Sequence, residues 1–122
     1  MKRWIPFILW LLFVASIITC ADLSLARCLF EVAGRYPGSD KLAHAVGMCT
    51  LAFTFNYALH TRTVPLKCCH VQLGGFIVAV VMTIEECSQI WIPCRTFDLL
   101  DLAANYAGIL CAGWITQRCA LK

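Results

Sequence analysis

The chain has 122 residues, enough for one domain; 61% of them are hydrophobic and 14% charged, and the mean hydropathy is +0.76. Soluble domains carry about 25% charged residues, and a fold this small has too little interior to hide so much apolar surface; the composition excludes a soluble globular protein and points to an integral membrane protein. A net charge of +3 with no basic cluster excludes a nucleic-acid-binding module.

Four apolar segments follow one another. Trp4–Ala21 carries no charge, and Pro6 falls in its first turn, where a missing N–H costs little. With Lys2 and Arg3 ahead of it and Ser16 to Ala21 at its end, this segment also reads as a signal peptide, but the apolar run is long for one, and retention as a helix is expected. Asp22–Lys41 is the longest connection. In it Leu23, Ala26, Leu29, Phe30 and Ala33 recur at helical spacing, with Arg27 and Glu31 four apart, before the breaker pair Pro37-Gly38. That pattern predicts a short helix lying at the membrane interface.

Leu42–Leu59 is apolar apart from His44, Thr50, Thr54 and Asn56. His60–His70 reads as a loop marked by Pro65. Val71–Ile92 is interrupted by Gln72, Glu85, Glu86, Ser88 and Gln89, and a tight loop around Pro93 follows, over Trp91–Asp98. Leu99–Thr116 contains Asp101 and Asn105. Each apolar segment is near the 20 or so residues that cross a bilayer core, and in lipid the backbone must satisfy itself, which makes these segments helices. The expected fold is all-α: one membrane domain over residues 1–122, a bundle of four transmembrane helices spanning 4–21, 42–59, 71–92 and 99–116, with a short interfacial segment after the first.

With four spans, Lys2, Arg3, Arg62, Lys67, Arg118 and Lys122 fall on one side and Arg27, Arg35, Lys41 and Arg95 on the other. The bias places both termini in the cytoplasm of a multi-pass protein of the plasma (inner) membrane. The nine cysteines are scattered and mostly apolar in context, which argues against a disulfide scaffold; Cys28 and Cys94 share the outer side under this topology, and a bridge between them stays open. Cys68-Cys69-His70 hints at zinc but lacks a second ligand pair, so neither a metal site nor a cofactor is expected.

The chemistry-bearing residues form four groups. Asp40-Lys41-Leu42-Ala43-His44 opens the second helix, with Asp40 placed to cap or favourably charge its N-terminus. Glu86 and Gln89, three apart, share a face near the end of the third helix, and Glu85 points about 100° away as an interfacial charge. Arg95, after Pro93, is placed to reach Glu86, Asp98 or an entering anion. Asp98, Asp101, Asn105 and Gly108 line one face of the fourth helix; Asn105 ties helices together and Gly108 permits close approach. Under the four-span topology all of these lie in the outer half of the membrane, so that Asp40, Lys41, His44, Glu86, Gln89, Arg95, Asp98, Asp101 and Asn105 form a polar pocket. Ionisable residues at membrane depth are costly and mark functional sites.

In order, these residues resemble the VanZ-like family of small bacterial membrane proteins. Asp40, Lys41 and His44 match its Asp-Lys-x-x-His; Glu86 and Gln89 its Glu-x-x-Gln; Pro93 and Arg95 its Pro-x-Arg; and Asp98, Asp101, Asn105 and Gly108 its Asp-x-x-Asp-x-x-x-Asn-x-x-Gly. Cys94 departs from the Gly or small polar residue commoner there. The resemblance implies a polytopic helical protein of the bacterial cell envelope. The family is named for a member linked to teicoplanin resistance and has no established reaction, so it implies neither an activity nor a resistance role here.

The leading functional expectation is a binding protein. Its pocket would take an anionic lipid headgroup, a lipid-linked cell-wall intermediate or a membrane partner, with Lys41 and Arg95 on the phosphate or carboxylate. Three alternatives stay open: an intramembrane enzyme using acid/base or metal-assisted chemistry on a lipid-linked substrate, a structural polar network without a ligand, and a proton-coupled transporter, for which a homo-oligomer would supply the helices that four spans lack.

Overall fold

The computed structural model describes residues 2–23, 38–66, 69–92 and 95–120. They form α1 (Trp4–Asp22), α2 (Ser39–Ala58), β1 (Thr63–Leu66), β2 (Cys69–Gln72), α3 (Leu73–Ser88), a 3-10 turn (Gln89–Trp91) and α4 (Leu99–Ala120).

Among the described residues, three stretches are long and apolar enough to cross a membrane: Trp4–Ala21, Leu73–Trp91 and Leu99–Cys119. Their outer faces are studded with large apolar side chains, among them Leu9 and Leu12 on α1, Ile84 on α3, and Leu110 and Trp114 on α4. Only 6% of the α1 stretch is buried inside the protein. Apolar surface on this scale suits acyl tails and not water.

The fourth helix, α2, is less apolar because of where it sits. It packs against α1, α3 and α4, so its polar side chains meet protein groups. The core consists of Met48, Leu51 and Ala52 of α2, Val78 and Met82 of α3, and Ile109 and Ala112 of α4. The α2–α4 seam is the most extensive contact in the molecule, and Gly108 makes it possible. A Cβ there would run into the Ala45 carbonyl and stand 3.0 Å from the Cys49 nitrogen. Asp98 lies against Lys41, Asn105 against His44 and Gly108 against Ala45 and Cys49; α2 and α4 therefore run parallel, with α3 returning between them.

Aromatic contacts dock α1 onto α2. Phe7 stacks on Phe55 at 4.2 Å between centroids, and Trp10 Nε1 donates to the Gly47 carbonyl at 3.0 Å. Arg3 lies 4.9 Å over the Tyr57 ring and 3.1 Å from His60 Nδ1, which sets the start of α1 beside the end of α2. That end is closed by His60 in the left-handed region (φ 55°), with His60 N–H on the Tyr57 carbonyl and Thr61 N–H on the Asn56 carbonyl. This is the hydrogen-bond pattern of a Schellman stop, with His in the place Gly usually takes.

The structure departs from the all-helical expectation at residues 63–72. The stretch expected to be a loop around Pro65, and the expected first two residues of the third span, form an antiparallel hairpin that pairs Thr63 with Gln72 and Pro65 with His70. β-Branched Thr63, Val64 and Val71 favour strands, and an edge position tolerates Pro65. The third helix therefore starts at Leu73. Asp40 is not the N-cap of α2: Gly38 at φ 84° holds that place, and Asp40 sits in the first turn. The interfacial helix expected within residues 23–33, the Pro93 turn and the Cys28–Cys94 pairing fall on residues 24–37 and 93–94, outside the described ones, as does Cys68 of the zinc-like cluster. Cys20, Cys49, Cys87, Cys111 and Cys119 are free thiols.

Candidate functional site

The start of α2, the end of α3 and the start of α4 meet at one end of the bundle. Lys41 is the hub. Its Nζ donates to Asp98 Oδ2 at 2.5 Å and to Asp101 Oδ1, and lies 3.1 Å from Asp40 Oδ2. Asp98 does two jobs: Oδ2 faces Lys41, while Oδ1 accepts the Leu100 N–H at 2.8 Å. That second bond caps α4 and satisfies one of the unpaired N–H groups of its first turn.

The same residues shape the local electrostatics. Hydrogen bonds from Lys41 hold the Asp40 and Asp98 carboxyls below their ordinary value of 3.8. Asp101, then Asp98, hold the Lys41 ammonium above its ordinary 10.5 against the opposing pull of burial.

One turn further along α2, His44 stands between two acceptors. With its proton on Nδ1 it donates to Asn105 Oδ1 at 3.1 Å, and Nε2 lies 3.8 Å from Asp101 Oδ2. The Asn105 amide nitrogen is buried without a partner. The spacing of three and four along α4 thus becomes a ladder of Asp98, Asp101 and Asn105 against Lys41 and His44.

The α3 side contributes a second group. Glu86 is fully buried; Oε1 accepts the Asp98 backbone N–H at 3.2 Å, and Oε2 receives the Gln89 amide at 3.4 Å. It pins the chain entering α4 to the end of α3. Gln89 also donates to Glu85 Oε1 at 3.1 Å, and Arg95 Nη2 lies 3.7 Å from that same oxygen. Two features go beyond the expectation: Arg95 stands beside Glu85, a contact the sequence reading did not name, and Glu85 is a half-buried member of the group. Sequence spacing held the signal: Gln89 follows Glu85 by four and Glu86 by three, so its amide can reach both.

Within this cluster Asp40, Glu85, Glu86, Asp98 and Asp101 face Lys41 and Arg95, five acids against two bases. Among the described residues Lys41 is shared by three carboxylates and Arg95 stands beside Glu85. Lys41 and His44 keep 28% of their side-chain surface open, Asp98 39% and Asp40 53%. Among the described residues no group of three His, Cys, Asp or Glu is placed to hold a metal ion.

No family model, curated protein or solved structure matches the chain.

Proposed function

We propose that the protein is a VanZ-like, four-span membrane protein whose polar cluster binds the amine-bearing end of a membrane-borne ligand, such as an aminophospholipid headgroup or the amine of a lipid-linked cell-wall intermediate. The observation that carries this reading is the open carboxylate edge of the cluster: the Asp40 and Asp98 side chains keep 53% and 39% of their surface exposed while both contact Lys41. Carboxylates next to lipid are costly, and an ammonium group from outside would pair with the exposed ones. The headgroup contact in this reading is an amine at the acids, where the residue types alone suggested an anion at Lys41 and Arg95.

Several features support the four-span topology and the outward orientation. The α2 helix has 20 residues, close to the length of a span. The start of α1 lies beside the end of α2, so the chain reverses at each connection. Lys2, Arg3, Arg62 and Arg118 belong to the end of the bundle opposite the cluster, which by the positive-inside rule is the cytoplasmic end.

The test is lipid-dependent thermal stabilisation of the purified protein in mild detergent. Phosphatidylethanolamine should raise the unfolding temperature and phosphatidylglycerol should not, and Asp40→Asn with Asp98→Asn should remove the response. Stabilisation by phosphatidylglycerol instead would restore the anionic reading. Indifference to both lipids would leave a network that only locks helices together.

A further inference from the structure

The opposite end of the bundle holds a second, unrelated feature. A cavity of about 440 Å³ lies between α3 and α4 beside β2, within the usual size range of small-ligand sites. It meets a neighbouring cavity of about 490 Å³ through Phe76, Ala79 and Tyr106. Together they make one groove that follows α3 from Gln72 to Ile84, about 18 Å at the helical rise. The walls are apolar, as a lipid chain requires.

The end of the groove at the hairpin is different. Asn56, fully buried, and Gln72, 4% exposed, both line it, and each holds a polar atom without a partner: the Asn56 amide nitrogen and the Gln72 carbonyl oxygen. The orientation of Asn56 is fixed, because its Oδ1 accepts the Gly75 N–H at 2.9 Å and only the oxygen can do so. Its Nδ2 is therefore a donor. Buried polar groups left unpaired are costly and rare, and here a donor and an acceptor lie along the same apolar channel. Trp114 lines the groove too, with Arg118 4.9 Å over its ring, which puts a cation near the mouth.

We propose that this groove is a second ligand site holding one single-chain ester lipid with a free hydroxyl. The chain lies along α3, the ester carbonyl accepts from Asn56 Nδ2, and the hydroxyl donates to Gln72 Oε1. Monoacylglycerols and lysophospholipids share this chemistry, one acyl chain beside one ester carbonyl and one hydroxyl. Diacyl lipids bring a second chain that the single groove does not accommodate.

Native mass spectrometry of the delipidated full chain in detergent tests the assignment. The probes are 1-palmitoylglycerol, 1-palmitoyl-lysophosphatidylglycerol and the ether 1-hexadecylglycerol, which lacks the ester carbonyl. The esters should give a 1:1 adduct, and the ether should bind about tenfold more weakly, the effect of losing one net hydrogen bond. Equal binding of both esters identifies the glycerol ester as the recognised unit; preference for the lysophospholipid adds a phosphate contact at the Arg118 end. Gly113→Leu should abolish the adduct without lowering the unfolding temperature of the empty protein, since Gly113 lines the cavity and a Cβ there meets nothing within 4 Å. Gln72→Leu should weaken it. Binding of the ether as tight as the esters, a comparison that needs no variant, overturns the proposal; so does an adduct that persists in Gly113→Leu.

Discussion

Two glycines of α4 give the sharpest test of how the bundle is held. At Gly108 a Cβ would strike the Ala45 carbonyl, and it would lie 2.9 Å from the Ala45 carbonyl carbon and 3.0 Å from the Cys49 nitrogen, where ordinary contact begins at 3.4 Å. Backbone cannot rotate away as a side chain can, so Gly108→Ala must part α2 from α4 by roughly one ångström, a gap that forfeits about half of the dispersion energy of the contacts it opens. Those contacts run along the largest seam in the molecule, past Met48, Leu51, Ala52, Ile109 and Ala112. Overpacking of this kind costs about 1–3 kcal/mol, and replacing Gly by Ala within a helix returns about 1 kcal/mol. With a backbone clash this deep at the upper end of that range, the net expectation is a loss of about 2 kcal/mol. Gly113→Ala, five residues along the same helix, meets nothing and should keep the whole propensity gain. Reversible unfolding in mixed micelles, followed by circular dichroism, measures both. If Gly108→Ala proves as stable as the parent, or Gly113→Ala as damaging as Gly108→Ala, the parallel α2–α4 packing described above is incorrect.

Three further outcomes follow from the polar contacts. Asp40 and Asp98 have lowered carboxyl values, so their contribution to stability is present above about pH 3.8 and fades as pH falls through the lowered values; Lys41 is raised, so its contribution is present below about pH 10.5 and fades above that. Unfolding midpoints should therefore be flat between these limits and drop on either side, and Lys41→Met should flatten both drops while lowering the plateau. Glu86→Leu should cost about 1–3 kcal/mol by stranding the Asp98 N–H, while Glu86→Gln, which keeps an acceptor, should cost less; both are read by the same unfolding assay. Trp10→Phe removes the bond to the Gly47 carbonyl and should weaken α1 docking by about 0.6 kcal/mol, the average for such bonds in membranes, seen as earlier proteolysis of α1 from the bundle.

The sequence made the helices legible because hydrophobicity and length are one-dimensional signals: α1, α3 and α4 match the expected segments to within a few residues. The α4 stripe was legible for the same reason, since Asp98, Asp101, Asn105 and Gly108 share a face by arithmetic alone. Partners were not legible. Nothing in the spacing says that Lys41 is held by three acids, or that Arg95 turns to Glu85, because those contacts depend on how far apart helices stand and in which direction they face. The hairpin was missed because residues 63–72 are too short and mixed for either a helical or an alternating period to dominate, and Pro65 reads first as a breaker. The groove near Asn56 left no trace in the one-dimensional pattern: Asn56 and Gln72 are 16 residues apart, and neither looks unusual until the fold buries both without partners.

The position of α2 links these observations. A helix enclosed by three others can carry polar residues at both ends provided its middle is apolar, and α2 is arranged so: Asp40, Lys41 and His44 at one end, Asn56 at the other, and buried Met48, Leu51 and Ala52 between them. In the four-span topology proposed above, the ends would lie near the headgroup layers, where charge and hydrogen bonding cost little, and the middle where they cost most. Surrounding helices pack against α2 but do not satisfy every side chain: Asn56 keeps an idle donor beside the groove, and Asp40 and Asp98 stay partly open around Lys41 at the other end. Buried polar groups add little net stability, so the polar residues at both ends of α2 are what the two proposed ligand sites rest on.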